Sequence, residues 1–485
     1  METPISPLWP SWRLVYTICA FFIMVAQQCM NNAPNFAILC MIKPSENRTS
    51  VINIIRLHDN CSYALNNAED MVQDDIPHGE LEWTKHWEWL FLSSYFYGYM
   101  VVQPVAGRLA DKFGGKLFLL TGLIGQAVMF MLIPVMARTF YWLAVATRTL
   151  QGFLAGFAVP SIYQLYTVWA HPTERAALMS FAYGGYAAGS LLVFPITSLL
   201  CQTGWTMVFY VIGGLALVLG ITCNILIHSS LDEHPWISTR EIDYLRGGSD
   251  NNKMVPTIPW RQMITSCPIL TFIITHICHS YGLIVLNLCL PRYLRDTMHF
   301  SLKENGYYSS VLYIGSITSR VIVMLLFSKL YRKSRLSLTV FRRIVYCGGN
   351  LVTALVILLI TFLTCEQRML IVLLIFVAGA SIDVSFTGAY WISCIDMAPA
   401  FAGLLTGISN SAATLSGIIA PLAISSVVTE GSKAEWNYLY YSMAVSYVFS
   451  MLVYGNFGSS EKQKWGDFIC KTSKPDGEAP AVKKY

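Results

Sequence analysis

Arg148 is the one charged side chain in a run of thirty residues, 141–170, that reads YWLAVATRTLQGFLAGFAVPSIYQLYTVWA. An arginine keeps its proton in a protein, and placing it at the centre of a bilayer costs from about 3 to more than 10 kcal/mol. Its planar guanidinium suits a carboxylate or a phosphate group. The run contains no acid to neutralise it. We therefore predict that Arg148 binds the anionic group of a substrate; the alternative is a structural ion pair.

Two histidines, His276 and His279, are spaced by three residues, which puts both on one face of a helix. His279 is a candidate for substrate binding and His276 a candidate site for a coupling ion, and because histidine titrates near neutral pH such a site would respond to pH. Tyr281, two residues further on, is a substrate candidate on a different face. Two packed histidines without a function remain the alternative. A third ligand is not evident, so no metal site is predicted.

Arg320 and Asp383 are ionisable residues in the middle of two further apolar segments, about fourteen residues into each. At about 1.5 Å per residue this spacing gives both the same depth in a membrane. The pattern predicts a buried ion pair, because either charge alone would be costly there. The alternative gives Asp383 the role of a proton or sodium site.

The elements that position these residues are predicted from hydropathy. Of the 485 residues 54% are hydrophobic and 13% charged, and the mean hydropathy is +0.49, whereas a soluble domain has about 25% charged residues. A helix needs about twenty apolar residues to cross a bilayer. An all-α membrane protein with twelve transmembrane helices is therefore predicted. The segments lie near 15–42, 87–107, 117–137, 141–168, 177–200, 205–228, 266–290, 306–328, 340–363, 369–393, 402–428 and 437–457.

A polar stretch divides the twelve segments into two groups of six. Residues 1–228 are predicted to form the N-terminal half, including a glycosylated loop at 43–86. A central cytosolic loop at 229–262 follows, in which STRE has capping-box spacing and predicts a short helix. Residues 263–458 form the C-terminal half, and residues 459–485 form a cytosolic tail.

The orientation follows from the basic residues and the sequons. Most Lys and Arg residues between segments fall on the side of the two termini, which predicts cytosolic termini. Asn47 and Asn60 begin Asn-x-Ser/Thr sequons and both lie in the loop predicted to be outside. The expected location is the plasma membrane or an endolysosomal or vesicular membrane.

The chain has 13 cysteines and a net charge of +5. Most cysteines fall inside the apolar segments, and Cys61, Cys201 and Cys365 lie near the outside, where disulfide formation is left open. The excess of basic residues matches the anionic lipid headgroups on the cytosolic side and does not indicate nucleic-acid binding.

The short connection at 107–116 reads GRLADKFGGK. It matches the signature Gly-x-x-x-Asp-[Arg/Lys]-x-Gly-x-[Arg/Lys] of the major facilitator superfamily. Glycines permit a tight turn, the aspartate can dock on a helix N-terminus, and the cations can bind carboxylates or lipid phosphate. A positively charged turn without further function is the alternative. The residues assigned to this gating motif are Gly107, Asp111, Lys112, Gly114 and Lys116.

Longer segments resemble solute carrier family 17, which contains sialin, the vesicular glutamate transporters and the phosphate-cotransporter-type organic anion carriers. They include WAHPTERAALMSFAYGGYAAGSLLVFP, DEHPWISTREIDYL, LTGISNSAATLSGIIAP and SSEKQKW. The resemblance implies the major facilitator fold, in which two six-helix halves rock around a central site. It also implies that Arg148, in Arg-x-x-x-Gly-x-x-x-Gly, binds the substrate's anionic group. His279 aligns with an arginine of the glutamate-transporter branch.

At three positions this sequence differs from the family pattern, and these differences affect which ion is expected to drive transport. Asn31 stands where many members have an arginine, Ala155 where a glutamate is associated with proton coupling, and Ala400 where several relatives have arginine. We therefore expect a secondary active or potential-driven transporter of small organic anions or inorganic phosphate. Asn31 is counted among the substrate-binding candidates.

Two alternatives stay open. One is sialin-like proton symport of acidic sugars or amino acids, with His279 or Asp383 in place of the missing glutamate. The other is a non-transporting membrane sensor or interaction protein. An enzyme is not expected, nor a resident cofactor. Coupling to Na⁺ or H⁺ and dependence on Cl⁻ are left open, and a monomer in contact with membrane lipids is expected.

Overall fold

Apolar runs of the sequence form the helices of the N-terminal half. The computed structural model describes residues 11–43, 79–232, 234–247, 258–398, 401–429, 431–463 and 465. In lipid, each helix satisfies its own backbone hydrogen bonds, which makes the helix the stable form of such runs. In chain order they are α1 (Trp12–Met41), α2 (Lys85–Phe113), α3 (Gly115–Thr139), α4 (Tyr141–Ala155), α5 (Ala158–Trp169), α6 (Pro172–Thr203) and α7 (Trp205–Leu226).

Two short helices precede the C-terminal half, α8 (Thr239–Gly247) and α9 (Trp260–Ile264). The half itself has a 3₁₀ turn at Cys365–Gln367 and a π-helical turn at Phe386–Tyr390, which joins α13 to α14. Its helices are α10 (Cys267–Asp296), α11 (Leu302–Ser334), α12 (Leu338–Phe362), α13 (Arg368–Ser385), α14 (Trp391–Met397), α15 (Ala402–Val427) and α16 (Lys433–Phe457).

The predicted all-α class is confirmed. The described residues form no strand beyond an isolated bridge between Ile42 and Leu81. Nine helices in the described part are long and apolar enough to cross a membrane. The remaining three predicted segments correspond to α2, to α4 with α5, and to α16. The count of twelve stays a prediction that these helices agree with.

Capping residues fix where several helices begin. At the start of α11 the hydroxyl of Ser301 accepts from the backbone N–H of Glu304, and the Glu304 carboxylate accepts from the N–H of Ser301. Ser432 and Glu435 make the same arrangement at the start of α16. These boxes satisfy backbone donors that a helix start leaves free.

The fourth predicted segment is interrupted just after the motif that contains Arg148. The helix α4 ends at Ala155, and α5 begins at Ala158. Gly152 packs directly on the backbone of α2, since a Cβ at this position would lie 1.9 Å from the carbonyl oxygen of Tyr95. Any larger residue would push the two helices apart. This close approach brings the face of α4 that carries Arg148 next to α2.

The connection at 107–116 is a sharp turn between two helices. Gly114 has φ +93 and links the end of α2 to the start of α3, a conformation that favours glycine. The backbone N–H of Gly115 donates to Oε1 of Gln164 at 2.9 Å, which ties the turn to α5. Asp111 and Lys112 are exposed. Their predicted gating role stays a prediction.

A disulfide joins Cys40, near the end of α1, to Cys201, near the end of α6, with 6.1 Å between the Cα atoms. Cys201 is one of the three cysteines predicted near the outside, whereas Cys40 is not among them because it lies within the first apolar segment. Its position in the last turn of α1 brings it to the same end of the bundle as Cys201. Cys365 is disulfide-bonded as well. Cys61 and the sequon residues Asn47 and Asn60 lie outside the described residues.

The end of the bundle that carries the Cys40–Cys201 bond, hereafter the disulfide end, also joins the two halves. The carboxylate of Glu88 on α2 pairs with Arg292 on α10. The guanidinium of Arg295 donates to the carbonyl oxygen of Leu39 at 2.7 Å. Glu88 is buried, with 3% of its side chain exposed, so water screens this contact little.

The opposite end contains a buried charge cluster, hereafter the latch, made of Arg13, Glu174, Glu241 and Tyr244. Arg13 is fully buried and pairs with Glu174 at 2.7 Å and Glu241 at 3.4 Å. Tyr244 donates to Glu174 at 3.0 Å. The latch therefore fastens α8 onto α1 and α6.

Glu241 does not complete the capping box predicted for STRE. Its backbone N–H donates to the Ser238 hydroxyl, as expected at 3.3 Å. Its carboxylate instead accepts from the backbone N–H groups of Trp12 and Arg13, at 3.2 and 3.1 Å. A carboxylate is stabilised at a helix N-terminus, and here the helix is α1 and not α8.

Candidate anion-binding site

Arg148 is held in the N-terminal half by groups without formal charge. Its side chain is 1% exposed. One guanidinium nitrogen, Nη1, donates to the Met30 carbonyl oxygen at 3.1 Å and to Oε1 of Gln151 at 2.8 Å. The other, Nη2, donates to the Asn31 carbonyl oxygen at 2.8 Å. The buried Nε–H makes no hydrogen bond to the described residues.

An aromatic face completes the surroundings of this guanidinium. The Arg148 carbon Cζ lies 4.8 Å from the ring centroid of Tyr95, within the range of a cation–π contact. Tyr99 stacks on Tyr95 with 5.9 Å between centroids. Charged and aromatic groups thus meet where α1, α2 and α4 pack together. A group that combines negative charge with apolar surface would find partners here.

Asn31 contributes its backbone, and its half-buried side chain makes no recorded hydrogen bond among the described residues. The sequence had assigned it as a substrate-binding residue because of its alignment. The structure places it in direct contact with Arg148, and its role toward substrate stays a prediction.

His279 lies in the C-terminal half against the π-helical turn. Its ring stacks on Phe386 at 5.3 Å and lies 5.5 Å from the ring of Tyr390. The nitrogen Nδ1 is buried and has no hydrogen-bond partner among the described residues, and the same holds for the hydroxyls of Tyr390 and Tyr447. Single π-helical turns often occur at functional sites. The cluster leaves three buried polar atoms able to bind a ligand or water.

His276 and Tyr281 are engaged in contacts between helices. Nδ1 of His276 and the Ser409 hydroxyl lie 2.7 Å apart, which links α10 to α15. The Tyr281 hydroxyl and the Ser442 hydroxyl lie 2.9 Å apart, which links α10 to α16. The two residues therefore lie on different faces of α10, as expected from their spacing.

Asp383 and Arg320 lie in contact, with 2.6 Å between Oδ1 and Nη2. Asp383 is buried, but 41% of the Arg320 side chain is exposed. Thr387, in the π-helical turn, donates to the same carboxylate at 3.2 Å. The geometry is that of the predicted ion pair, although only its acidic member is buried.

Two members of the site, Gln151 and Tyr95, are not among the residues predicted from the sequence. Gln151 is fully buried and follows Arg148 by three residues, a spacing that places both on one helix face. This signal was present in the sequence. Tyr95 had no such signal, because its contact depends on how α2 packs on α4. The described residues contain no group of three or more His, Cys, Asp or Glu side chains that could hold a metal ion.

Comparison with known proteins identifies the family. Residues 75–421 match the model of the Major Facilitator Superfamily. The chain is 30% identical over 424 residues to a Drosophila ananassae protein named "Putative inorganic phosphate cotransporter", covering 85% of this chain and 87% of that protein. It is 27% identical to human sialin, with 79% and 78% of the two chains covered. It is 29% identical to vesicular glutamate transporter 3 of Danio rerio, with 80% and 66% covered.

Solved structures show the same fold. A bacterial homologue of the human lysosomal transporter Spinster, in an inward-facing conformation, aligns with TM-score 0.66 and 12% identity over 93% of this chain and 98% of that one. A D-xylose-proton symporter aligns with TM-score 0.63 and 14% identity over 94% and 100%. The predictions of fold, of a transporter and of no enzymatic activity are confirmed. The chain belongs to the major facilitator superfamily, and within it to solute carrier family 17, and it is a membrane transporter that works by alternating access.

Proposed function

We propose that the protein carries small organic anions or inorganic phosphate, and that Arg148 binds the anionic group. One observation carries the proposal: a buried guanidinium whose recorded partners are two carbonyls, an amide and an aromatic ring. A buried cation without a carboxylate partner is costly, and an anionic substrate compensates this cost when it binds. The name of the Drosophila ananassae relative, "Putative inorganic phosphate cotransporter", supports this substrate class.

The driving force in this proposal is the membrane potential or a sodium gradient. Ala155 replaces a glutamate associated with proton coupling, and an alanine cannot carry a proton. Asp383 is the candidate for the sodium site, with the hydroxyls of Ser319 and Thr387 beside its carboxylate. No resident cofactor is needed for this cycle, and chloride dependence is tested in the assay below.

Proton symport is the second candidate, favoured by the unpartnered Nδ1 of His279. A buried imidazole with a free nitrogen can accept a proton when a substrate anion lies beside it. Uptake driven by an inward proton gradient, and lost in His279→Gln, would select this candidate over the first.

The orientation with both termini in the cytosol remains part of the proposal. The Cys40–Cys201 bond supports it, since disulfides form in oxidising compartments and this bond lies at the end predicted to face outside. The same orientation exposes Asn47 and Asn60 to glycosylation. A monomer in the plasma membrane or in an endolysosomal or vesicular membrane, surrounded by anionic lipid on its cytosolic side, completes the proposal.

The test is uptake into proteoliposomes that contain the purified protein. Radiolabelled phosphate, urate, glutamate, sialic acid and an aryl carboxylate are offered under imposed sodium, proton, chloride and voltage gradients. We expect Arg148→Gln to abolish uptake of every accepted anion. The matched control is Arg138→Gln, which removes an exposed arginine paired with Glu80 and should leave uptake unchanged. Normal uptake by Arg148→Gln would remove this residue from the site.

A further inference from the structure

Pro34 lies inside α1 and changes the hydrogen bonding of the preceding turn. A proline has no backbone N–H, so the carbonyl four residues earlier receives no helical hydrogen bond. In α1 that carbonyl belongs to Met30. A buried carbonyl without a donor costs free energy, and a side chain from another helix must satisfy it.

Two side chains of α4 donate to the Met30 carbonyl oxygen. Arg148 does so through Nη1 at 3.1 Å, and Gln151 through Nε2 at 3.3 Å. Gln151 also accepts from Nη1 of Arg148 through Oε1 at 2.8 Å. The three groups therefore form a closed set of hydrogen bonds. The Met30 carbonyl and the Gln151 amide together fix the plane of the Arg148 guanidinium.

The partners in this set are dipoles and not charges. A carboxylate in the place of Gln151 would bind the guanidinium more strongly, but it would also neutralise the positive charge and compete with a substrate anion. Carbonyl and amide oxygens offset part of the cost of burial and leave the full charge in place. One donor, the buried Nε–H, is still without a partner among the described residues.

We propose that Pro34 and Gln151 are positioning residues that orient Arg148 through the Met30 carbonyl while leaving its charge available to the transported anion. The inference rests on the proposed function of Arg148. It adds a reason for the proline in the first helix and for the glutamine three residues after the arginine. Neither residue needs to touch the substrate.

The decisive variant is Gln151→Glu, which keeps the length of the side chain and the oxygen that accepts from Arg148, removes the Nε2 donor to the Met30 carbonyl and adds a negative charge. A charge-assisted hydrogen bond is worth about 1.5 to 3 kcal/mol, so we expect KM for inorganic phosphate and for benzoate to rise roughly tenfold or more. The unfolding midpoint of the purified protein should not fall. If Gln151 only supported packing, the variant would instead show a lower unfolding midpoint and an unchanged KM.

A second variant tests the proline. Pro34→Ala restores an N–H that can bond to Met30 and so competes with Arg148 for that carbonyl. We expect a rise in KM of roughly three- to tenfold, with a smaller change in the maximal rate, because one charge-assisted hydrogen bond is weakened. The matched control is Pro134→Ala in α3, a proline inside another helix, which should leave KM unchanged.

Binding is also measured without transport, as the increase of the unfolding midpoint with rising phosphate or benzoate. A wild-type protein that neither binds nor carries these or the other screened anions, or an active Arg148→Gln, would overturn the proposed function. If wild type binds and Arg148→Gln does not, a Gln151→Glu protein with wild-type KM and wild-type anion stabilisation would overturn the positioning role alone. Should Pro34→Ala fail to fold, Gln151→Glu still decides.

Discussion

Asp383 and Arg320 differ in exposure, and this difference decides which of the two is more costly to leave without its partner. The acid is buried, with 6% of its side chain exposed, whereas 41% of the arginine side chain is exposed. A long arginine can turn its head group toward water or lipid headgroups when its partner is lost. The shorter aspartate, on α13 and packed against α11, cannot leave its position.

We therefore predict unequal effects of removing each partner. Arg320→Gln strands a buried carboxylate and should destabilise the protein by about 3 to 5 kcal/mol. Asp383→Asn should cost less, because Arg320 can move and the amide still accepts from Thr387. Thermal unfolding of both variants in detergent measures the difference. If both variants lose equal stability, or Asp383→Asn loses more, the side chain of Arg320 cannot turn toward water or lipid headgroups as proposed.

At the scale of the helix, the short element α8 is defined by what it binds. Its nine residues are too few to form a stable helix alone. Its carboxylate Glu241 caps the N-terminus of α1, and its Tyr244 lies 4.7 Å from the guanidinium carbon of Arg13. The central connection is thereby attached to the N-terminal half, at the latch.

Removing Arg13 should release this helix. In Arg13→Gln the buried carboxylate of Glu241 loses its cation, and we expect a loss of about 3 to 5 kcal/mol of stability. Arg246→Gln is the control, since it removes an exposed arginine of the same helix that pairs with Asp232. Thermal unfolding compares the two variants. If both variants shift the unfolding midpoint by the same amount, the latch does not contribute to stability.

For the molecule as a whole, the contacts at the disulfide end join the two halves to each other. The pair of Glu88 and Arg292 is mostly buried and joins α2 of one half to α10 of the other. Alternating access requires such a contact to break once in each cycle. Its strength therefore sets part of the balance between the two states.

Weakening this pair should open the disulfide end. We predict that Glu88→Gln increases the population with a longer distance between spin labels at Thr139 and Lys303, exposed residues of the two halves at this end. The labels are placed in a background without the exposed Cys267. Glu82→Gln, which removes an exposed carboxylate paired with Lys43, is the control. An unchanged distance distribution in Glu88→Gln would argue against a gating contact.

The helical class and the position of Arg148 within it can be predicted from the sequence without knowledge of the packing. Lipid leaves the backbone no partner except itself, so an apolar run of about twenty residues predicts a helix without knowledge of its neighbours. A lone arginine in such a run is visible for the same reason, since its cost is set by the lipid. The depth of Arg320 and Asp383 could also be read along the chain, because rise per residue is constant.

Which groups surround those charges depends on how the helices pack and cannot be predicted from the sequence. Arg148 bonds to Met30, 118 positions away, Cys40 pairs with Cys201 across 161, and Arg13 meets the carboxylate of Glu241 across 228. Each contact depends on the rotation of the packed helices and on the distance between them. Rotation and distance in turn follow from many local packing contacts, such as that of Gly152 with the backbone of α2. A hydropathy pattern fixes where a helix lies along the chain, but it does not fix which neighbour each face of the helix meets.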